Sequence, residues 1–117
     1  MKKDNAIEIK SKEFAIRVVR LARYLIQEKR EFILSRQLLR SGTSIGANVK
    51  EALRGQSKAD FISKMNIALK ESEETEYWLE ILHEADYLTD IEFESIFQNN
   101  KEILRILMSI VKTSRKE

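Results

Sequence analysis

The sequence predicts an all-α fold, an antiparallel up-down four-helix bundle, and three observations carry that expectation. Apolar residues recur at helical spacing in four successive segments. The chain has 117 residues with no proline and three glycines, so few positions oppose a helix. Nothing in it reads as a strand.

Phe14, Val18, Leu21 and Leu25 follow one another at spacings of four, three and four, which puts them on one face of a first helix over about residues 11–29. Leu34, Leu38, Ile45, Val49 and Leu53 share a face of a second helix over about 34–54, closed by Gly55, a residue suited to the left-handed position after a helix end. Ser57 followed by Asp60 reads as a helix start, and Phe61, Met65, Ala68, Ser72, Leu79 and Leu82 carry a third helix over about 58–85. Thr89 with Glu92 repeats that signal. Phe93, Ile96, Phe97, Ile103, Leu104, Leu107 and Val111 then define a fourth helix over about 90–114. The links are short, so neighbouring helices are expected to run antiparallel within one domain spanning residues 1–117.

At 43% hydrophobic and 34% charged residues, the composition supports a packed core. The lack of cysteine rules out disulfides, thiolate nucleophiles and cysteine-held metals, and favours the cytoplasm. No apolar run follows the charged start Met1-Lys2-Lys3-Asp4-Asn5, and none reaches the ~20 residues of a spanning helix, so no export signal or membrane segment is expected. Glu80 and His83 have the Glu-x-x-His spacing of di-metal bundles, but His83 is the only histidine and the second motif such a site needs cannot exist. His83 is therefore expected at or near the surface, with no metal, no cofactor and no catalytic residues. Phosphate-binding loops of the GxxxxGK[ST] or GxGxxG type are absent as well.

Gly42 and Gly46 lie inside the second helix, where each costs about 1 kcal/mol relative to alanine. Close approach of another backbone would offset that cost, and a kink at residues 41–44 is the rival reading. Asn100 falls within the apolar stripe of the fourth helix, between Ile96, Ile103 and Leu104, and is expected to be hydrogen-bonded there.

Charge is divided along the chain: residues 1–58 hold 14 Lys+Arg against 6 Asp+Glu, and residues 59–117 hold 7 against 13. Such a split can draw polyanions to one face, or one subunit's basic half to another's acidic half. Arg36, Arg40, Lys50 and Arg54 project opposite the apolar stripe of the second helix, and Arg17, Arg20 and Arg23 climb the first away from its core face. These seven are the candidate nucleic-acid contacts. Ile16, Val19 and Ile26 on the first helix, with Tyr77, Trp78 and Ile81 on the third, lie off the main stripes and are candidate subunit contacts.

The run Leu38-Leu39-Arg40-Ser41-Gly42-Thr43-Ser44-Ile45-Gly46-Ala47-Asn48-Val49, with Glu51-Ala52, Asp60-Phe61-Ile62 and Glu74-Thr75-Glu76-Tyr77-Trp78-Leu79, resembles the bacterial four-helix bundle family that includes proteins encoded by intervening sequences in 23S ribosomal RNA genes. The resemblance covers about residues 12–113. It implies a ring-like homopentamer, and kinship with the accessory protein of diversity-generating retroelements, a basic pentamer that binds nucleic acid and a reverse transcriptase. It supplies no catalytic residues. The expected function is a non-catalytic homo-oligomer binding RNA or DNA through its basic face, with a reverse transcriptase or other protein as a further candidate partner; the alternative is a protein-interaction adaptor or scaffold without nucleic-acid binding, whose charge asymmetry serves assembly alone.

Overall fold

The structure is a computed structural model describing residues 2–116, with side chains from Asn5 onward. Its four helices are α1 (Lys2–Gln27), α2 (Leu34–Leu53), α3 (Lys58–Glu84) and α4 (Asp90–Lys116). They form an up-down bundle of 46 × 21 × 19 Å. Each helix packs on its two neighbours and α4 closes against α1, while the diagonal pairs do not pack. Inside lie Ile7, Phe14, Val18 and Leu25 of α1, Leu38, Ile45 and Val49 of α2, Met65, Leu79 and Leu82 of α3, and Ile96, Ile103 and Leu107 of α4. Burying each of these large aliphatic or aromatic side chains contributes roughly 1.5–3 kcal/mol.

Two expectations need correction. The first helix begins at Lys2, well before residue 11, because the core stripe runs back through Ser11 to a fully buried Ile7. Ser11 is an interior residue whose hydroxyl donates to the Glu8 carbonyl at 3.3 Å. Gly55 is not left-handed, since no glycine has a positive φ. It is small for a different reason: a Cβ there would come within 3.1 Å of the Ala52 carbonyl and 3.3 Å of Asp60 Cβ.

Left-handed residues do end helices elsewhere. Asp86, at φ 69°, follows α3, where the Asp86 N–H donates to the His83 carbonyl at 3.1 Å and the Tyr87 N–H to Leu82 at 2.8 Å. This pair of bonds is a Schellman closure. Helix starts are capped as expected at Ser57, whose hydroxyl accepts from the Asp60 N–H at 3.1 Å. Thr89 and Glu92 form a reciprocal capping box, at 2.8 and 3.2 Å. The cap on α2 comes from Glu31, only 8% exposed, whose carboxylate accepts from the backbone N–H groups of Ile33, Leu34 and Ser35 at 3.1, 3.0 and 2.7 Å.

α2 runs unbroken through its two glycines, so close approach and not a kink explains them. A Cβ on Gly42 would sit 2.8 Å from both Val18 methyls, and one on Gly46 would sit 3.3 Å from the Ser11 carbonyl oxygen. The glycines thus fix how near α1 lies to α2.

Candidate nucleic-acid interface

The seven basic candidates separate into two groups once the helices are adjacent. Arg17 reaches across from α1 to α4, where its guanidinium donates to the Ser95 carbonyl at 3.2 Å, to the Ser95 hydroxyl and to Asn99 Oδ1. Arg40 reaches from α2 to α3 and donates to both Glu71 oxygens at 3.3 Å and to Glu74. Glu74 also accepts from the Trp78 indole N–H at 3.0 Å. Both arginines tie neighbouring helices together. Because the Arg40 side chain is 50% exposed, its ion pairs contribute only modestly to stability.

The other five, Arg20, Arg23, Arg36, Lys50 and Arg54, are exposed and have no side-chain partner among the described residues. Arg36 near the start of α2 and Arg54, which caps its end, are eighteen residues apart, about five turns, so they share a side and stand about 27 Å apart along the axis. Lys50 lies on the same outward side. Near the end of α2, Lys50 and Arg54 border a groove of about 640 Å³ whose far wall carries Asp60 and Lys64 of α3. Lys64 is paired there with Glu51 at 3.0 Å.

The apolar candidates lie on the outer sides of α1 and α3. Ile16, Val19 and Tyr77 are 45%, 41% and 56% exposed, and Ile26, Trp78 and Ile81 are half-buried. Tyr77 meets Trp78 edge-on, with ring centroids 5.2 Å apart. Sequence reasoning missed Ile9 and Ile67, also exposed, which extend these faces. The signal for both was heptad spacing: Ile9 precedes Ile16 by seven residues, and Ile67 precedes Ile81 by fourteen. α1 and α3 are diagonal neighbours, so the two faces look away from each other.

His83 stacks on Phe93 with centroids 4.2 Å apart, and its Nε2 lies 2.7 Å from Asp90 Oδ1. Glu80 is exposed. Among the described residues no group of three or more histidine, cysteine, aspartate or glutamate side chains is placed to hold a metal ion, and no helix is long and apolar enough to cross a membrane.

A short-linked bundle of four antiparallel helices, with unpaired cations along α2 and apolar outer faces on α1 and α3, defines a four-helix-bundle protein. The chain belongs to the family described as 23S rRNA-intervening sequence protein, which matches residues 3–109. A solved structure from Bacteroides thetaiotaomicron, a protein of unknown function from the S23 ribosomal protein family, is 55% identical, with 94% of this chain and 98% of that chain covered and a TM-score of 0.93. No curated protein matches the chain.

Proposed function

We propose that the protein is a non-catalytic homo-oligomer that binds nucleic acid, RNA in particular, in the cytoplasm. The observation that carries this reading is the set of cations left unpaired by the fold: Arg20, Arg23, Arg36, Lys50 and Arg54 are exposed, whereas Arg17 and Arg40 serve helix packing. A cation without an internal partner is free to neutralise a phosphate, and each such contact releases counterions. Self-assembly is supported by the outward faces of α1 and α3, which together expose Ile9, Ile16, Val19, Ile67 and Tyr77. The absence of cysteine agrees with a reducing compartment.

Mobility shift of a structured RNA by the full chain, repeated across a salt series, tests the nucleic-acid reading. Affinity should fall linearly on a log–log scale as salt rises. A chain that assembles but leaves RNA unshifted at low salt supports the adaptor reading instead, in which the basic α1–α2 half of one copy meets the acidic α3–α4 half of another.

A further inference from the structure

The unpaired cations are not spread evenly along the bundle. Three contacts set the axial register: Gly46 of α2 lies against Ser11 of α1, Lys10 of α1 pairs with Glu102 of α4 at 3.3 Å, and Lys64 of α3 pairs with Glu51 of α2 at 3.0 Å. The end of α2, the start of α3 and the end of α4 therefore meet at one end of the 46 Å long axis. Lys50, Arg54, Lys58, Lys112, Arg115 and Lys116 are all exposed there and have no side-chain partner among the described residues. Among the described residues the exposed acids toward this end are Glu8 of α1, Glu51, which is paired with Lys64, and Asp60. At the opposite end the exposed charges are mixed, with Glu28, Glu84, Asp86, Asp90, Glu92 and Glu94 standing among Arg23, Lys29, Arg30 and Arg36.

Helix electrostatics explain only part of this cluster. Cations in the last turns of α2 and α4 complement the negative ends of those helices. Lys58 does not fit that account, because it opens α3, where the helix dipole favours an anion. Its charge is unfavourable to its own helix and adds to a field built by the ends of the others. Beneath the cluster, Lys50 and Arg54 line the open groove of about 640 Å³ together with the Lys64–Glu51 pair and Asp60.

We infer that the nucleic acid meets the bundle end-on, its phosphodiester backbone lying across the basic end formed by α2, α3 and α4. This rests on the nucleic-acid reading above and narrows it: Lys50 and Arg54 belong to the contact together with Lys58, Lys112, Arg115 and Lys116, and the flank residues Arg20, Arg23 and Arg36 do not form it. At the far end the exposed cations stand among exposed acids, so the basic end is the stronger pole for a phosphate.

The experiment compares full-length variants binding one RNA hairpin across a salt series. An end triple, Lys50→Gln, Arg54→Gln and Arg115→Gln, is set against a charge-matched triple, Lys12→Gln, Lys29→Gln and Lys70→Gln. The end triple should lose at least about tenfold in affinity at low salt and flatten the salt slope by roughly two to three, while the charge-matched triple stays close to the parent. The single variant Lys58→Gln, which relieves an unfavourable charge on α3 and so leaves folding intact, should lower the slope by about one. Equal losses in the two triples, or a larger loss from the flank triple Arg20→Gln, Arg23→Gln and Arg36→Gln, overturn the end-on contact and leave the nucleic-acid reading standing. A parent chain that binds no RNA defeats both. If that chain instead binds phosphatidylserine vesicles and the end triple does not, the basic end serves a membrane surface and the inference is rejected.

Discussion

Asn100 of α4 and Ser72 of α3 exchange two hydrogen bonds in the bundle interior, with Ser72 Oγ donating to Asn100 Oδ1 at 2.9 Å and Asn100 Nδ2 donating to the Ser72 carbonyl at 3.0 Å. Both residues are fully buried. Sliding α4 along α3 would strand these polar groups away from water, so the pair sets the register of the two helices. Asn100→Leu is expected to cost about 1–3 kcal/mol in urea unfolding, and the double change with Ser72→Ala should cost less than the sum of the two single changes. Additive costs, or a more stable Asn100→Leu in an unchanged assembly, would remove the register role.

Gly42→Ala sets two effects of opposite sign against each other. Helix propensity favours alanine by about 1 kcal/mol, but its Cβ would sit 2.8 Å from both Val18 methyls, and such overpacking costs about 1–3 kcal/mol. The clash should win, and Gly42→Ala should lower the melting temperature. In a Val18→Ala background those methyls are gone and the nearest remaining atom is the residue-18 Cβ at 3.2 Å, so the same substitution should cost clearly less. A destabilising effect of similar size in both backgrounds would show that Val18 is not what the glycine accommodates.

The fold was legible because each helix carries an apolar stripe that keeps its period through a few polar positions, and periodicity reports a stripe whatever lies across from it. What stayed hidden was polar or tertiary. Ser11 looked like a boundary because it is polar, yet it continues the buried face of α1. The cap of α2 escaped notice because Glu31 stands outside the Ser, Thr, Asp and Asn set that marks helix starts. In the candidate site, periodicity gave the outward direction of Arg17 and Arg40 but not what the adjacent helix places beside them. Their engagement depends on axial register, which brings Ser95 and Asn99 of α4 level with Arg17 and Glu71 and Glu74 of α3 level with Arg40. Similarly, the sequence showed that the two halves of the chain differ in charge, but the basic end needs the up-down topology that puts the end of α2 and the end of α4 at the same end of the bundle.

Glu31 is expected to matter out of proportion to its place in a short link. One carboxylate satisfies three backbone N–H groups at the start of α2, and the Ser35 hydroxyl returns a bond to the Glu31 carbonyl at 2.8 Å. Its negative charge also faces the positive end of that helix. Glu31→Ala should destabilise by about 1–3 kcal/mol and Glu31→Gln by less, since the amide keeps one acceptor oxygen. Glu28→Ala, an exposed change three residues away, should stay within about 0.5 kcal/mol of the parent. Equal effects at the two positions in thermal or urea unfolding would mean that the cap contributes little.

The two outward apolar faces predict how the chain assembles as well as that it does. Ile9, Ile16 and Val19 on α1 and Ile67 and Tyr77 on α3 lie on diagonal helices that do not touch, so one copy presents two different patches in different directions. If the α1 patch of one copy docks on the α3 patch of the next, the contact is heterologous, and repeating it builds a ring or an open chain of copies. Each such contact also brings a basic half against an acidic half, since residues 1–58 carry the excess of cations and residues 59–117 the excess of anions. Light scattering of the parent should then give a mass several times 13.7 kDa. Ile16→Lys with Val19→Lys, or Ile67→Lys with Tyr77→Lys, should each reduce the protein to monomer. Mixing the two variants restores one intact contact, between the sound α3 patch of the first and the sound α1 patch of the second, and should give a one-to-one dimer. Like-with-like pairing, where α1 patches meet α1 patches, would instead leave the α3 variant dimeric on its own. Observing that pattern would reject the heterologous arrangement.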